Sequence, residues 1–218
     1  MGSLTRFNLG KLKKQSGADY FFETGTWRGD GLAYAARVPF KKLLSSEIIA
    51  SIAPQAQERF RNDPRITIIN DSSTSALEKH LGSVNGNCIF WLDAHYPGAE
   101  EGIKGYNDEE EEYVKLPLQK ELELIAARAL LFQDLILVDD LRIYEEGPFK
   151  KGNLPKEVLP PKVRNTHFVT NLFKNTHDIT KLYDDEGYMV LLPKTLQPLS
   201  FFDNLRYNIY NTAFRKIA

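Results

Sequence analysis

The sequence predicts an α/β fold in which helices cover both faces of a mostly parallel β-sheet. Short apolar runs of strand length alternate with segments of helical periodicity, which is the pattern of consecutive β-α units. The last two apolar runs are joined by a turn too short for a parallel crossover, so they form an antiparallel hairpin. With 218 residues, of which 42% are hydrophobic, the chain has the size of one domain with a substantial core.

Five apolar runs are the predicted parallel strands. They are YFFE (20–23), KLLSSE (42–47), RITIIN (65–70), CIFWLD (88–93) and DLILVDD (134–140). Helices are predicted at residues 31–38, 52–62, 74–81, 117–131 and 168–175. The clearest of them is 117–131, because a proline begins it and Leu118, Leu122 and Ile125 fall on one face.

The hairpin brings the predicted strands to seven. Its strands, 178–183 and 188–193, flank the turn DDEG. We therefore predict a single domain over residues 1–218 with its core at about 18–193. The aromatic tail 194–218 is too apolar to stay in solvent, and we expect it to pack on this core or on a partner.

Charge and composition exclude several classes of function. The formal net charge of −1 gives no field that would attract nucleic acid. No stretch approaches the roughly 18 apolar residues of a membrane span, and the first residues lack the apolar segment of a signal peptide. The one cysteine, Cys88, excludes an intramolecular disulfide and fits a reducing compartment, so we expect a cytoplasmic protein.

The first strand is followed by a glycine-rich loop, FFETGTWRGDG, in which Glu23 precedes Gly25, Gly29 and Gly31. Glycines here let the backbone approach a ligand closely, although a tight β-α turn would need a glycine for its geometry alone. The spacing departs from the dinucleotide fingerprint G-x-G-x-x-G. An acid before the first glycine would repel a pyrophosphate and would suit a ligand that carries an ammonium or a sulfonium.

The next two strands also end in acids. Glu47 ends the second strand, where a carboxylate can accept both hydroxyls of a ribose. Asp71 ends the third strand and is followed by Ser72, in a position to meet an adenine amino group. The ordered acids therefore predict a nucleoside-containing ligand at this edge of the sheet.

From about residue 20 to 193, this order of acids and the terminal hairpin resemble the class I S-adenosylmethionine-dependent methyltransferases. The resemblance implies a Rossmann-like, seven-stranded sheet and S-adenosylmethionine (SAM) as cofactor. The segments ETGTWRGDG, FWLDAHYPG and LVDDLR are similar to small bacterial and viral methyltransferases often found with glycan biosynthesis. The cofactor-binding residues implied by the resemblance are Glu23, Thr24, Gly25, Thr26, Gly29, Glu47, Asp71, Ser72 and Asp93.

A second group of polar residues follows the fourth and fifth strands: Asp93, His95, Asp139 and Asp140. Methyl transfer to a hydroxyl needs a group that removes the proton, and His95 can act as this base near neutral pH, with Asp93 beside it. Three carboxylates in one crevice repel one another unless a cation neutralises them. Oxygen ligands favour Mg²⁺ or Mn²⁺, so Asp93, Asp139 and Asp140 are candidate metal ligands.

These acids also resemble those of metal-dependent macrocin-type, macrolide and aminocoumarin sugar O-methyltransferases. In that family a strand-four aspartate and an aspartate pair after strand five hold magnesium, and a nearby acidic or histidine residue is the base. Two structural alternatives remain open. In the first, His95 serves only as a hydrogen-bonded neighbour of Asp93. In the second, Asp140 caps the next segment or pairs with Arg142.

Loops 94–114 and 141–166 leave the crevice side and are expected to cover it. The second carries basic residues that form either ordinary surface or a site for an acidic sugar: Arg142, Lys150, Lys151, Lys156, Lys162 and Arg164. We predict a sugar or oligosaccharide acceptor, with a homodimer or an association with glycosyltransferase domains. The rival functions are a NAD-binding oxidoreductase and a non-catalytic interaction domain.

Overall fold

The structure is a computed structural model that describes residues 3–95, 112–154 and 165–196, with the backbone alone at 112 and 113. The strands are β1 Tyr20–Thr24, β2 Lys42–Ser46, β3 Ile66–Ile69, β4 Cys88–Leu92, β5 Leu135–Val138, β6 His177–Leu182 and β7 Tyr188–Pro193. The helices are α1 Leu9–Ser16, α2 Asp30–Ala35, α3 Ala53–Phe60, α4 Ser73–His80, α5 Glu112–Lys115, α6 Leu118–Ala126 and α7 His167–Phe173.

All seven strands form one sheet in the order β3-β2-β1-β4-β5-β7-β6. The first five strands are parallel, and β7 runs antiparallel to both β5 and β6. This is the predicted sheet with its terminal hairpin. The strand order reverses between β1 and β4, and ligands of open α/β sheets bind outside the carboxyl ends of the strands at such a point.

Side chains of successive strand residues alternate between two hydrophobic layers, one on each face of the sheet. Phe22, Phe90 and Ile136 face the layer formed with α4, α6 and α7. Their neighbours along the strands, Phe21, Ile89 and Leu137, face the layer formed with α1 and α2. Both faces of the sheet are therefore covered by helices, as predicted.

The amino-terminal segment covers part of the second layer, and no helix was predicted there. A 3₁₀ turn at Leu4–Arg6 precedes α1, which begins after an Asn8 side chain that accepts a hydrogen bond from the Lys11 N–H. Phe7 is 1% exposed and makes edge contacts with the rings of Trp91 and Tyr188. With only eight residues, several of them lysines, α1 has too short an apolar face to stand out in the sequence.

Helix α6 ends at Ala126, five residues before the predicted end. The buried guanidinium of Arg128 donates to the Val84 and Gly86 carbonyls and to the Asp134 carboxylate. These contacts close the turn between α6 and β5 at the amino-terminal edge of the sheet. Beyond it Leu130 and Leu131 are 90% and 78% exposed, so the apolar residues at the end of this segment are not core.

Cys88 begins β4 and is fully buried, with its thiol in reduced form. Burial raises the pKa of this thiol well above its ordinary value. Its backbone N–H donates to the Asp134 carboxylate, which ties the start of β4 to that of β5. Over the described ranges, every helix is too short or too polar to cross a membrane.

Candidate active site

The chain leaves the sheet at Asp93, directly after a strand whose five residues are all buried. The Asp93 N–H donates to the carbonyl and to the hydroxyl of Thr24, at the end of the neighbouring strand β1. The Asp93 side chain keeps 23% of its surface exposed. The parallel pairing of β1 and β4 thus places this carboxylate at the point where the strand order reverses.

His95 and Asp140 form a close pair across the ends of β4 and β5. The Nε2–H of His95 donates to Asp140 Oδ2 at 2.9 Å, whereas Nδ1 lies 3.9 Å from Asp93 Oδ1. A carboxylate bound to Nε2–H fixes this tautomer and leaves Nδ1 as the basic nitrogen. The predicted neighbour of His95 was Asp93, but the hydrogen-bonded carboxylate is that of Asp140.

Asp140 is held from its other side by Arg142. Its backbone lies in the left-handed region at φ 54°, and its Oδ1 accepts from Arg142 Nε at 3.2 Å. Arg142 in turn donates to Glu186 in the turn of the hairpin. Burial raises the pKa of Asp140, but His95 and Arg142 outweigh it and bring the pKa below its ordinary value. The predicted alternative of an Asp140–Arg142 pair is therefore present together with the His95 contact.

Asp139 is buried beside this pair and has the opposite electrostatic behaviour. Burial, together with repulsion by Asp93 and Asp140, raises its pKa well above the ordinary value. Its Oδ1 accepts the Asp140 N–H at 2.8 Å. A raised pKa favours the protonated form of Asp139, which weakens the repulsion between the neighbouring carboxyl groups.

The predicted metal site does not fit this arrangement. Over the described ranges, no group of three or more histidine, cysteine or carboxylate side chains is arranged so that it could hold a metal ion. The Asp140 carboxylate is directed at His95 and Arg142, and Asp139 takes part in the contact with the Asp140 backbone. Asp93, Asp139 and Asp140 therefore meet in space without forming a common set of ligands.

Glu121 lies at the same site and was not predicted. It is 1% exposed, on the face of α6 that also carries Leu118, Leu122 and Ile125. Burial raises the pKa of its carboxyl group to about 7, although the neighbouring Ser73 and Thr24 act to lower this pKa. The sequence does contain a signal for this residue. Glu121 is three residues after Leu118 and four before Ile125, so it falls on the apolar face of the helix, where a charged residue is unusual.

A small pocket lies between the carboxyl ends of β4 and β5 and the first turn of α6. Its polar lining consists of Asp93, His95, Glu121 and Asp139, and its apolar lining includes Leu118 and Tyr144. Four ionisable side chains around a pocket with apolar walls suit a small polar group of a bound molecule.

The glycines of the loop after β1 are each explained by contacts within the chain. Gly25 has φ +81°, and a Cβ there would lie 2.7 Å from the Asp93 carbonyl oxygen. A Cβ at Gly29 would meet the Phe60 ring, and one at Gly31 would meet the Glu23 carboxyl group. The loop therefore packs closely on β4, and its glycines are not independent evidence for a ligand.

Glu23 is buried beneath this loop, at 2% exposure. Its carboxyl group accepts from the Ser45 hydroxyl at 2.6 Å, and that hydroxyl also contacts Thr26 Oγ1. Burial raises the pKa of Glu23 to about 8. A pKa of about 8 favours the protonated form at neutral pH, and the predicted contact of Glu23 with the cofactor stays a prediction.

Glu47 is fixed at the end of β2 by two backbone donors. Its Oε2 accepts the Trp27 N–H at 2.7 Å, and its Oε1 accepts the Ile49 N–H at 2.8 Å. Each carboxylate oxygen has two lone pairs, so the group retains the capacity to accept two hydroxyls. The structure thus supplies the fixed carboxylate that the predicted ribose contact needs.

Asp71 and Ser72 form the start of α4. The Asp71 carboxylate accepts from the Ser72 N–H, the Ser75 hydroxyl and the Lys79 ammonium, and the ion pair with Lys79 lowers its pKa. Ser72 caps the helix by accepting the Ser75 N–H. Both residues follow the edge strand β3, away from the pair formed by His95 and Asp140. Their contacts at the start of α4 explain these two residue types without a ligand, and their contact with adenine stays a prediction.

Part of the predicted cover lies outside the described residues, namely positions 96–111 and the basic residues Lys156, Lys162 and Arg164. Residues 197–218 of the tail, predicted to pack on the core or on a partner, also lie outside them. Of the basic residues that are described, Lys150 pairs with Asp184 and Lys151 lies 3.8 Å from Glu186. Arg142 pairs with Asp140 and Glu186. These three side chains compensate carboxylates of the hairpin turn and of the site itself.

No protein-family model matches the chain, and no curated protein is significantly similar to it. Solved structures do match. A Staphylococcus aureus protein assigned as a caffeoyl-CoA O-methyltransferase has a TM-score of 0.56 at 14% identity, over 88% of this chain and 84% of that one. An O-methyltransferase of Bacillus cereus in complex with SAH (S-adenosylhomocysteine) has a TM-score of 0.54 at 12% identity, over 89% and 82%.

A third match is an SAH-bound methyltransferase of Podospora anserina, with a TM-score of 0.54 at 17% identity, over 84% of this chain and 75% of that one. Identities this low establish a common fold and leave the chemistry to the residues of the site. The chain has the Rossmann-like fold of the class I methyltransferases, with the same mixed seven-stranded sheet.

Proposed function

We propose that the protein is a SAM-dependent O-methyltransferase that transfers a methyl group to a hydroxyl of a sugar or glycan. The observation that carries the proposal is the His95–Asp140 pair, which stands at the carboxyl ends of β4 and β5 in a fold shared with SAH-bound methyltransferases. A histidine oriented by a buried carboxylate is an arrangement suited to removing a proton from a hydroxyl.

The cofactor side of the proposal rests on the ends of β1 and β2. SAM supplies a methyl group on a positively charged sulfur. Glu47, held by two backbone N–H groups, is the residue that would accept the ribose hydroxyls. The backbone of residues 24–26 would line the adjacent edge, because Gly25 brings this loop against Asp93.

The acceptor hydroxyl would enter beside His95. Bound SAM would supply an electrophilic methyl group, whose bond to sulfur would be replaced by the bond to the acceptor oxygen, with the electron pair left on sulfur. The hydroxyl proton passes to Nδ1 of His95, and Asp140 stabilises the imidazolium that forms. Asp93 Oδ1, at 3.9 Å from Nδ1, adds a second negative group on the side that gains the proton.

The polar lining of the pocket supports a hydroxylated acceptor, because a flat apolar ring would leave several ionisable groups buried without partners. The association with a second copy or with glycosyltransferase domains stays a prediction.

Ligand binding distinguishes the proposed enzyme from its rivals. We expect SAH to raise the melting temperature and NAD to leave it unchanged, because the loop after β1 lacks the pyrophosphate fingerprint. Stabilisation by NAD alone would contradict the proposal. Release of SAH from SAM in the presence of a panel of glycosides and oligosaccharides, followed by mass spectrometry, separates an enzyme from a non-catalytic domain with the same fold.

The pair formed by His95 and Asp140 gives the sharpest test of mechanism. We expect His95→Ala and Asp140→Asn to lower kcat by about 10²–10⁴, because an amide at position 140 no longer fixes the tautomer of His95. The dissociation constant of SAH, measured by calorimetry, should stay unchanged. Glu123→Gln, an exposed change on α6, is the matched control. Full activity of either site variant would exclude the role given to that residue.

Metal assistance is tested separately, since the described carboxylates do not form a set of ligands. We expect the initial rate of methyl transfer to be the same with EDTA and with added Mg²⁺ or Mn²⁺. Loss of the rate in EDTA and its recovery with either ion would restore the predicted metal site.

A further inference from the structure

Glu121 joins three parts of the site. It lies on α6, and its carboxyl group lies near Ser73 at the start of α4 and near Thr24 at the end of β1, both of which lower its pKa against the effect of burial. The Thr24 hydroxyl also accepts the Asp93 N–H at 3.3 Å. Through Thr24, this side chain is connected to the first residue after β4.

One oxygen of the Glu121 carboxyl group is left without a partner. Oε1 is buried, and none of the described residues donates a hydrogen bond to it. A buried polar atom without a partner destabilises the fold, so native proteins seldom keep one without a ligand or a water to satisfy it. The residue is 1% exposed, so the unsatisfied oxygen is not explained by contact with bulk solvent.

Glu121 also lines the pocket that holds His95. The two side chains reach it from different elements, Glu121 from α6 and His95 from the segment after β4. A group that enters the pocket therefore meets a proton acceptor on His95 and an unused hydrogen-bond acceptor on Glu121. The apolar part of the lining includes Leu118, from the same helix as Glu121.

We propose that Glu121 is a specificity-determining residue of the acceptor site, whose Oε1 accepts a hydrogen bond from a second donor of the acceptor, next to the hydroxyl that is methylated. The donor is a hydroxyl or an amino group. This inference rests on the proposed function, because it takes the pocket to be the acceptor site. With this contact, the enzyme would select acceptors that carry two adjacent hydrogen-bond donors over acceptors that carry one.

Binding to the SAH complex tests the inference without turnover. The probes are two matched pairs: catechol with phenol, and methyl α-D-mannopyranoside with its 2-deoxy analogue. Each pair differs by one donor, and dissociation constants are obtained from NMR titrations. We expect the two-donor member of at least one pair to bind about tenfold more tightly, because it satisfies a buried acceptor. The pair that shows the preference identifies an aromatic or a sugar acceptor.

Two variants assign the preference to Glu121. Glu121→Gln keeps the shape but replaces one carboxyl oxygen by an NH₂ donor, and Glu121→Leu removes both acceptors. Both should reduce the tenfold preference to less than about twofold while the affinity for the one-donor probe stays the same. Glu123→Gln, on the exposed face of the same helix, should keep the preference. A Glu121→Leu protein that fails to fold leaves Glu121→Gln as the deciding variant.

The outcomes separate this inference from the proposed function. Failure of the wild-type protein to bind SAH overturns the proposed function. SAH binding with equal affinities within both probe pairs overturns the role of Glu121 alone. A preference that survives in Glu121→Gln also overturns it, since the donor would then be held by another residue.

Discussion

Three buried carboxyl groups around the sheet edge differ from ordinary surface acids in their protonation. Burial raises the pKa values of Glu23, Glu121 and Asp139, whereas contacts with His95 and Arg142 lower that of Asp140. The site thus combines carboxyl groups whose pKa is raised by burial with one, that of Asp140, whose pKa is lowered. Groups with a raised pKa carry less negative charge, which reduces the repulsion between neighbouring acids.

The raised pKa of Glu23 can be measured through the pH dependence of the unfolding free energy. The unfolded chain loses the Glu23 proton near the ordinary value of 4.5, but the folded protein holds it to about pH 8. Glu23 therefore favours the folded state fully below pH 4.5, and this contribution is lost as the pH rises to about 8. We expect Glu23→Gln to reduce the fall in unfolding free energy over this window by about 1.4 kcal/mol per pH unit.

Urea unfolding at several pH values between 5 and 8 gives the two slopes. Glu58→Gln is the control, because Glu58 keeps 66% of its side chain exposed. Parallel curves for the wild-type protein and Glu23→Gln would mean that Glu23 is already ionised in the folded state at neutral pH.

The sequence predicted which acids meet at the strand ends, because parallel strands bring their carboxyl ends to one edge. It could not predict the partner of His95, since that contact depends on the left-handed conformation of Asp140 and on Arg142. Glu121 was missed for a different reason. On a helix otherwise recognised by its apolar face, a single glutamate is ordinarily a surface residue.

Among the elements, the loop between β1 and α2 packs closely on two neighbouring strand ends. It packs on the backbone after β4 through Gly25, and its Trp27 N–H binds Glu47 at the end of β2. The position of Asp93 therefore depends on the path of a neighbouring loop as well as on its own strand. Position 25 therefore requires glycine for two reasons, the close contact with the backbone after β4 and the positive φ.

A pair of alanine substitutions separates these two requirements. Gly25 and Gly152 have nearly the same φ, +81° and +80°, but a Cβ at Gly152 would meet nothing within 4 Å. We expect Gly152→Ala to cost about 1 kcal/mol of unfolding free energy from backbone strain alone. Gly25→Ala should cost at least about 1 kcal/mol more, because its Cβ would overlap the Asp93 carbonyl. Equal losses in urea unfolding would show that the loop moves away freely.

Strands were predicted more closely than helix ends. A buried parallel strand is a continuous apolar run, so its limits are visible in the sequence. The end of α6 instead depends on Arg128, whose guanidinium binds carbonyls and Asp134 from distant parts of the chain. Leu130 and Leu131 extended the apolar pattern past this point although neither is buried.

At the scale of the whole molecule, the sheet order and its terminal hairpin followed from the alternation of strands and helices and from one short turn. The amino-terminal segment did not, because its few apolar residues become core through contacts with distant elements, among them α2, β4 and β7. Phe7 packs against Trp91 and Tyr188, and Arg6 pairs with Asp185 in the hairpin turn. The segment thus connects the start of the described chain to its last strands.

Substitution of Phe7 measures how much this segment contributes to the fold. We expect Phe7→Ala to lower the unfolding free energy by about 3–5 kcal/mol, as for other fully buried phenylalanines. Leu131→Ala should change it by less than about 0.5 kcal/mol, because this leucine is 78% exposed. A small effect of Phe7→Ala would mean that the segment can detach while the sheet stays intact.

Because Cys88 is buried, the rate at which its thiol is modified measures how often the sheet opens. The sequence contains one cysteine, and its thiol is enclosed at the start of β4 with a raised pKa. A thiol-specific reagent can modify it only when the centre of the sheet separates, so the alkylation rate follows the population and lifetime of such open forms. A second cysteine placed on the surface would accept a fluorescent label selectively, with the native one left intact.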